Sequence, residues 1–368
     1  MSFESCLPWG WNNFLETFYN EFCDSNSSKA YEPGRVFAES HGLYSVICPR
    51  IGREFLARVS GRLQHQAAKR EDYPAVGDWV CVDSFENGGE GRISHILPRR
   101  TYLKRKSAGE GAERQMLAAQ IDETWIVSSC NQDLSPERLE RAILLATEGG
   151  ARARVLLSKS DLVKDDELQA LVTNLETRLV GVEVMTFSSR SGKGVAELRQ
   201  LLKLGETAVV VGSSGVGKST LLNILLGEDV LRVQEIRHDD AKGRHTTTGR
   251  YLHRVASGGL VIDTPGTREL QIFSDPDALV GAFSDIVTLE SRCKFSDCAH
   301  ESEIGCAIKQ ALQEGELSQE RWQNYLKLGR EMAFQQRRND KGLESREKKR
   351  WAKISAHASK KSRMKGRS

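Results

Sequence analysis

Long hydrophobic runs are missing from this sequence. None of its apolar stretches approaches the ~18–20 residues that a membrane-spanning helix requires. A basic region followed by an apolar stretch and a small-residue cleavage site is also missing near the N-terminus, where the first basic residue is Lys29. We therefore expect a cytoplasmic protein with no secretion signal and no membrane contact.

Cysteine pairs of the Cys-x-x-Cys type are absent, which argues against a redox site. Five of the eight cysteines are scattered, and in a reducing cytosol we expect them to be small core residues. The other three cluster with a histidine as Cys293-x₄-Cys298-x-His300-x₅-Cys306. Three thiolates and one imidazole leave no ligand position open, so the segment predicts one structural Zn²⁺ ion without a catalytic role.

A large excess of one charge is also lacking, because the net charge is only +3, but its distribution is uneven. Residues 337–368 hold 13 lysine and arginine residues against three acidic ones, a net charge of +10, which leaves −7 for the rest. Such a basic tail is typical of a disordered arm that binds polyanions, and we favour nucleic acid. The alternative is a tail that only improves solubility.

Residues 34–112 have the pattern of a small β-barrel, with short alternating runs separated by turn residues. The length fits a five-stranded OB-type barrel, a fold that often binds nucleic acid. Several basic residues follow, including Arg99, Arg100 and Lys104, which favour contact with RNA. An accessory barrel with a solvated basic loop is the alternative. Residues 1–33 are expected to form an N-terminal extension with a helix packed on the next domain.

Residues 113–275 alternate apolar strands with amphipathic helices, which is the pattern of a parallel α/β sheet. Residues 276–336 are expected to be helical around the cysteine cluster, with the basic tail after them. The predicted fold class is therefore α/β: a P-loop domain between an N-terminal OB-type barrel and a C-terminal zinc-binding helical domain.

A phosphate-binding motif lies in the α/β region, where residues 212–219 match G-x-x-x-x-G-K-[ST] between a strand and a helix. Its backbone N–H groups and the helix dipole favour phosphate. We expect Lys218 to reach the β- and γ-phosphates as a catalytic residue and Ser219 to ligate Mg²⁺. The predicted nucleotide contacts of this loop are Gly212, Ser213, Ser214, Gly215, Val216, Gly217, Lys218, Ser219 and Thr220.

A second apolar strand ends in the pattern D-x-x-G, from Asp263 to Gly266. We expect Asp263 to hold Mg²⁺ opposite Ser219, either directly or through water. The backbone N–H of Gly266 is expected to contact the γ-phosphate, so that this turn senses hydrolysis.

The base is expected to be read by Ser158-Lys159-Ser160-Asp161, which resembles the N-K-x-D motif of GTPases. A carboxylate at Asp161 can accept hydrogen bonds from N1–H and the exocyclic amine of guanine, a donor pair that adenine lacks. The Lys159 stem would cover the base, and Ser158 would cap the loop without the amide donors of the usual asparagine. A further loop contains Ser188 and Ser189 and resembles the segment that touches guanine through backbone N–H groups.

The order of these motifs is unusual, because the base-reading loops precede the phosphate loop. All of them nevertheless follow apolar strands, and the carboxyl ends of parallel strands form the ligand-binding edge of an open sheet. We interpret the order as a circular permutation, which preserves the site and relocates the chain termini.

Residues 243–250, between the phosphate loop and D-x-x-G, are the expected switch segment. Thr247 is expected to join the Mg²⁺ shell, with Thr246 as the alternative. His245 could orient the attacking water as a catalytic residue, and a structural role near phosphate or RNA is an equal alternative. Thr267 stands where many GTPases have glutamine, so we expect intrinsic hydrolysis to be slow or to use another group.

Together, the permuted motifs and the zinc ligands resemble the bacterial small ribosomal subunit-dependent GTPase A family over residues 34–335. The resemblance implies a late maturation factor that binds the small subunit and its rRNA near the decoding region. It also implies that the subunit stimulates GTP hydrolysis to GDP, after which the factor leaves. We expect a monomer. The competing interpretations are a GTP-regulated RNA-binding module with negligible turnover, and an ATPase or kinase, which Asp161 argues against.

Overall fold

The structure is a computed structural model that describes residues 2–83, 90–106, 114–131, 134–227, 250–264, 276–301 and 303–339. The strands, in chain order, are β1 (Glu32–Ser40), β2 (Leu43–Cys48), β3 (Arg53–Val59), β4 (Trp79–Asp83), β5 (Gly91–Ile96), β6 (Tyr102–Lys106), β7 (Arg114–Ala119), β8 (Glu123–Ser129), β9 (Arg152–Ser158), β10 (Glu183–Thr186), β11 (Thr207–Val211), β12 (Arg250–Arg254) and β13 (Leu260–Asp263). The helices are α1 (Asn13–Ser25), α2 (Gly61–Gln66), α3 (Pro136–Glu148), α4 (Asp165–Arg178), α5 (Val195–Gln200), α6 (Lys218–Leu226), α7 (Pro276–Ala282), α8 (Ser284–Ser291), α9 (Ala307–Glu314) and α10 (Gln319–Asn339).

Two compact units divide the chain: Met1–Gln271 with Gly281–Asp285, and Ile272–Val280 with Ile286–Ser368. None of the helices in the described ranges is both long enough and apolar enough to cross a bilayer.

A parallel sheet forms the centre of the first unit, with β10, β9, β8, β11 and β13 side by side in that order. Every residue of β8 and β11 is buried, as expected for strands covered on both faces. One face packs against α3 and α4, through residues such as Leu139 and Leu168. The other packs against α5 and α6, through Leu198 and Leu221. This doubly covered sheet confirms the α/β class.

The expected parallel arrangement is wrong for β12, which pairs antiparallel with β13. The link between them spans only residues 255–259 and turns at Gly258, where φ is +87°. A parallel pair needs a crossover connection of a dozen or more residues, so a link of this length permits only an antiparallel partner.

A closed five-stranded barrel precedes the parallel sheet. Its strands follow the order β1-β2-β3-β5-β4, and β4 pairs back with β1 to close the ring. Strand β1 also pairs with β12 through Ala38 and Tyr251, so the barrel and the central sheet share hydrogen bonds. The barrel confirms the predicted architecture.

The region predicted to be all-β also contains a helix. Ser60, the residue after β3, caps α2 by accepting a hydrogen bond from the Leu63 backbone N–H at 3.2 Å. A serine side chain at this position satisfies one of the backbone donors that a helix start leaves free, and so favours a helix.

The N-terminal segment packs on the barrel through aromatic side chains. The ring of Trp11 lies edge-on to Trp79 of β4, with centroids 4.8 Å apart, and edge-on to Tyr19 of α1. Such aromatic pairs stabilise an interface by more than the burial of their apolar area alone would. The helix expected in residues 1–33 therefore lies against the barrel.

Strands β6 and β7 form a separate two-stranded sheet. The expected boundary between residues 112 and 113 falls between these two paired strands. The hairpin joins the barrel to the α/β sheet, and its residues Leu103 and Leu117 are buried in a core that also contains α3.

The second unit is helical in its described part. Buried apolar residues on α8, α9 and α10 form its interior, including Ile286, Ile308 and Leu328. The segment between α8 and α9 carries the cysteine cluster.

Candidate nucleotide site and metal centre

The phosphate loop connects the buried end of β11 to the start of α6. Gly212 and Gly217 adopt φ values of +152° and +101°, which side chains rarely tolerate. A Cβ atom on Gly212 would lie 2.3 Å from the Val127 carbonyl oxygen. Glycine is thus required for this turn, which places α6 with its N-terminus at the loop.

The Lys218 ammonium group lies inside this loop. It donates hydrogen bonds to the carbonyl oxygens of Gly212 and Ser213, both at 2.7 Å. Burial lowers the pKa of Lys218, and the negative charge of Asp263 opposes that shift. The lysine is therefore a half-buried cation at the centre of the loop, where it can contact phosphate oxygens.

The Asp263 carboxyl group lies beside this loop because β13 pairs in parallel with β11, with Asp263 opposite Val210. The next residue, Thr264, donates its hydroxyl proton to the Val210 carbonyl oxygen at 2.6 Å, which fixes the end of the strand. Burial raises the pKa of Asp263, whereas the charge of Lys218 lowers it. Asp263 and the exposed hydroxyl of Ser219 offer the hard oxygen donors that Mg²⁺ prefers.

The two loops predicted to read the base meet at the ends of β9 and β10. The Asp161 carboxylate accepts a hydrogen bond from the Ser188 hydroxyl at 2.6 Å, which lowers the pKa of Asp161. Ser188 is fully buried and also accepts backbone hydrogen bonds from Arg190 and Ser191. Asp161 itself is exposed, so its remaining lone pairs are open to a ligand.

Two contacts join the base-reading loop to the phosphate loop. The Ser158 hydroxyl lies 2.5 Å from the Val216 carbonyl oxygen and 3.2 Å from that of Ser128. The Lys159 ammonium group donates to the Gly215 carbonyl oxygen at 3.0 Å, and Lys159 itself adopts a left-handed φ of +58°. Sequence reasoning expected a capping role for Ser158, but the identity of its partner in another loop was not predictable.

The structure thus brings the described candidate residues to one edge of the sheet. Ser160 is buried, while Ser189, Ser214, Ser219 and Thr220 are exposed. The candidates His245, Thr247 and Gly266, together with Thr246 and Thr267, lie outside the described residues.

The four predicted metal ligands converge in the second unit. Their ligand atoms all lie within 4.8 Å of one another: Cys293, Cys298, His300 and Cys306. The imidazole Nδ1 atom of His300 lies 3.6 Å from the Cys293 sulfur and 3.4 Å from that of Cys306. His300 adopts a left-handed backbone conformation, with φ of +61°. Three sulfurs and one nitrogen at these separations could bind one metal ion.

Two residues around this cluster were missed by the sequence analysis. Glu290 on α8 places a carboxylate oxygen 3.6 Å from the His300 Nε2 atom. Tyr325 on α10 donates its hydroxyl proton to the other oxygen of Glu290 at 3.1 Å. Such outer contacts orient a ligand histidine and fix which ring nitrogen carries the proton. No spacing pattern links residues on three separate elements, so the sequence held no signal for them.

Comparisons with known proteins agree with this geometry. The family model described as RsgA GTPase matches residues 96–273. A protein of Oceanobacillus iheyensis named small ribosomal subunit biogenesis GTPase RsgA 1 is 40% identical over 81% of this chain and 85% of its own. A relative from Xanthomonas axonopodis pv. citri with the corresponding name is 44% identical over 82% of this chain and 81% of its own.

Two solved structures are similar as well. YjeQ from Thermotoga maritima is 27% identical, with a TM-score of 0.63 over 83% of this chain and 99% of its own. YloQ, described as a circularly permuted GTPase, is 26% identical, with a TM-score of 0.59 over 83% of this chain and 96% of its own. The order of motifs along this chain agrees with that description.

Proposed function

The chain belongs to the RsgA GTPase family and is a GTP-hydrolysing enzyme, and we propose that it acts in late maturation of the small ribosomal subunit. In this proposal it binds the RNA of the subunit in the cytoplasm and hydrolyses GTP to GDP and phosphate, with stimulation by the subunit. The observation that carries the proposal is the meeting of a guanine-type carboxylate loop and a phosphate loop on one sheet edge. The small ribosomal subunit is the proposed partner because relatives that match over four fifths of the chain are named for it.

Guanine recognition is assigned to Asp161, which Ser188 holds ionised and oriented. Lys159 lies across the loop and would cover the base, while Ser158 fixes the loop to Val216. Backbone N–H groups near Ser189 would complete the base contacts. The remaining nucleotide contacts are proposed for Ser160, Gly212, Ser213, Ser214, Gly215, Val216, Gly217, Lys218, Ser219, Thr220, Asp263 and Gly266.

Hydrolysis is assigned to the phosphate loop and the switch segment. Lys218 would move from the loop carbonyls to the β- and γ-phosphates and stabilise charge that develops in the transition state. Ser219, Thr247 and Asp263 would hold Mg²⁺, which neutralises phosphate charge when it is bound. His245 is the proposed residue that orients water.

The metal in the second unit is proposed to be one structural Zn²⁺ ion, held by Cys293, Cys298, His300 and Cys306. Three thiolates and one imidazole form a ligand set typical of structural zinc. The described residues between α8 and α9 form no helix or strand, so the bound ion would supply folding free energy to this segment.

RNA binding is assigned to the barrel, the zinc-binding helices and the basic tail, which act as separate modules of one monomer. The modules are those proposed from the sequence: an extension (1–33), a barrel (34–112), a permuted GTPase domain (113–275), a zinc domain (276–336) and a tail (337–368). Phosphate contacts dominate this binding, so salt should weaken it strongly.

Co-sedimentation with purified small ribosomal subunits tests the proposal. We expect the protein to sediment with subunits in the presence of a non-hydrolysable GTP analogue and to be released with GDP. Truncation after residue 336 should weaken subunit binding while leaving guanine-nucleotide binding intact. Equal binding in both nucleotide states, or equal binding to large subunits, would contradict the assignment.

A further inference from the structure

A polar cleft of about 240 Å³ lies at the amino ends of the central strands, whereas the nucleotide loops lie at the carboxyl ends. Asp122 precedes β8, while Arg152 and Thr207 are the first residues of β9 and β11. The other walls come from the N-terminal segment, the barrel and the strand connections around residues 100 and 120. The cleft is therefore separate from the nucleotide site and lies within the first unit.

A buried cation lines this cleft. Arg35 of β1 is only 1% exposed, and its Nη2 atom donates to the Gln120 carbonyl oxygen at 3.1 Å and to the Thr207 hydroxyl at 3.0 Å. Its Nη1 atom donates to the Trp9 carbonyl oxygen. Its Nε atom is buried without a hydrogen-bond partner among the described residues.

The charge of Arg35 is not matched by an ion pair within the described ranges, since its hydrogen-bond acceptors are neutral oxygens. Burial lowers the pKa of Arg35 to about 10, with the charges of Asp122 and Asp78 opposing the shift, so the group stays charged at neutral pH. A buried charge without an opposite partner is costly for stability, and an anion in the cleft would offset that cost.

The N-terminus of α1 also lines the cleft. Asn12 caps this 13-residue helix by accepting a hydrogen bond from the Leu15 backbone N–H at 3.1 Å, and Asn12 and Gly10 both belong to the cleft wall. A helix N-terminus carries a partial positive charge and free backbone donors, which favour a bound anion.

Two exposed arginines line the cleft as well. Arg100 lies over the Phe14 ring, and Arg152 shares Glu123 with its neighbour Arg154. Among the lining residues the single carboxylate is Asp122, which is already bound to the Thr207 backbone N–H at 2.8 Å. Arg152 is already paired with Glu123 at 3.2 Å and with Glu206 at 3.9 Å, so the unbalanced lining charges are Arg35 and Arg100 against Asp122. The remaining net charge of +1 favours an anion.

We propose that this cleft binds a small free anion of the phosphate class, such as inorganic phosphate or pyrophosphate. Guanidinium groups bind phosphate oxygens in paired hydrogen bonds, and the cleft surrounds its contents with three of them and a helix N-terminus. At ~30 Å³ for each water, the cleft has room for a phosphate group together with a few waters. The deep burial of Arg35 favours a small free anion over a phosphate within an RNA strand.

Calorimetric titration with inorganic phosphate and with pyrophosphate tests this proposal. The protein is first saturated with Mg²⁺ and a non-hydrolysable GTP analogue, so that the phosphate loop is filled. We expect one saturable site, with binding about tenfold weaker in Arg100→Ala and in Arg152→Ala. The matched control is Arg58→Ala, an exposed arginine of β3 paired with Glu90, which should leave the affinity unchanged.

The Arg35→Gln variant is expected to lose phosphate binding, with its fold checked by circular dichroism. If this variant does not fold, Arg100→Ala and Arg152→Ala are sufficient to test the proposal. The proposal is overturned if phosphate and pyrophosphate show no saturable binding. It is also overturned if Arg100→Ala and Arg152→Ala bind them with the wild-type affinity. Displacement of phosphate by a short RNA at micromolar concentration would identify RNA as the ligand and also overturn it.

Discussion

The Ser158 hydroxyl lies 2.5 Å from the carbonyl oxygen of Val216, a residue 58 positions further along the chain. This contact joins the loop that carries Asp161 to the loop that carries Lys218. Because a hydroxyl has one proton, it donates to one carbonyl at a time, and Val216 is nearer than Ser128. This serine thus joins the two loops of the proposed nucleotide site without an amide side chain.

Replacement of Ser158 by alanine should weaken guanine-nucleotide binding about fivefold. The variant loses one hydrogen bond between buried groups, worth roughly 1 kcal/mol. The dissociation constant of a fluorescent GDP analogue measures the effect. The matched control is Ser60→Ala, which also removes one buried serine hydrogen bond, but in the cap of α2 and away from the nucleotide loops. Equal losses in the two variants would show that the contact with Val216 is unimportant.

Replacement of Asp161 by asparagine should change the base preference from guanine to xanthine. The carboxylate accepts from N1–H and the exocyclic amine of guanine, whereas an amide can donate to the carbonyl oxygen that xanthine carries instead. Loss of a paired polar contact should weaken GTP binding at least ~100-fold. Competition between GTP and xanthosine triphosphate measures the change.

Asp165→Asn is the matched control for Asp161→Asn, since its exposed carboxylate pairs with Lys193 outside the proposed base contacts. If the Asp161→Asn variant still prefers GTP over xanthosine triphosphate, Asp161 does not select the guanine base.

If the second unit binds the proposed Zn²⁺ ion, replacement of Glu290 by glutamine should accelerate its loss. The carboxylate lies beside the His300 Nε2 atom, and loss of such an outer partner typically lowers metal affinity by about 10–100-fold. Transfer of zinc to a chromogenic chelator gives the rate. Tyr325→Phe should produce a smaller increase, because it removes only the hydroxyl that orients Glu290.

The control for the zinc experiment is Glu314→Gln, an exposed carboxylate on α9 that binds Gln310 rather than a metal ligand. Complete removal of the ion should also reduce the helical circular dichroism signal. Zinc transfer at the wild-type rate in both Glu290→Gln and Tyr325→Phe would contradict the positioning role.

Lower pH should destabilise the first unit through His253 on β12. Burial lowers the pKa of this imidazole to about 4, below its ordinary value of about 6.5. Between these values the unfolded chain binds a proton that the folded chain does not, so stability is lost as pH falls, by up to about 3 kcal/mol. Thermal unfolding at pH 7 and pH 5 should show a smaller difference in His253→Gln than in wild type.

The exposed residue His65 supplies the comparison for His253, and His65→Gln should keep the wild-type dependence on pH. An unchanged dependence in His253→Gln would assign the acid sensitivity to other groups.

The fold could be predicted because several signals agree locally. At residues 207–226 an apolar strand, a glycine-rich loop and a helix follow one another, and each fits the same motif. The candidate metal cluster was predictable for a similar reason, since its four residues lie within 14 residues of sequence. Local pattern was insufficient at β12, where the length of the link to β13 decides the direction of the strand.

Contacts between distant elements were not predictable. Ser158 meets Val216, and Glu290 meets both His300 and Tyr325, only after the strands and helices have packed. The buried guanidinium of Arg35 is another such case, because an arginine in a barrel strand would ordinarily be expected on the surface. These positions depend on tertiary packing, which periodicity and spacing do not specify.

The most direct test of the proposed function is GTP hydrolysis by the purified protein, alone and with purified small ribosomal subunits. Lys218→Ala serves as the inactive control, and large subunits serve as the control for specificity. We expect slow hydrolysis by the protein alone and strong stimulation by small subunits, and we expect neither with Lys218→Ala. GTP binding without any stimulation by small subunits would contradict the account and favour a GTP-regulated RNA-binding module.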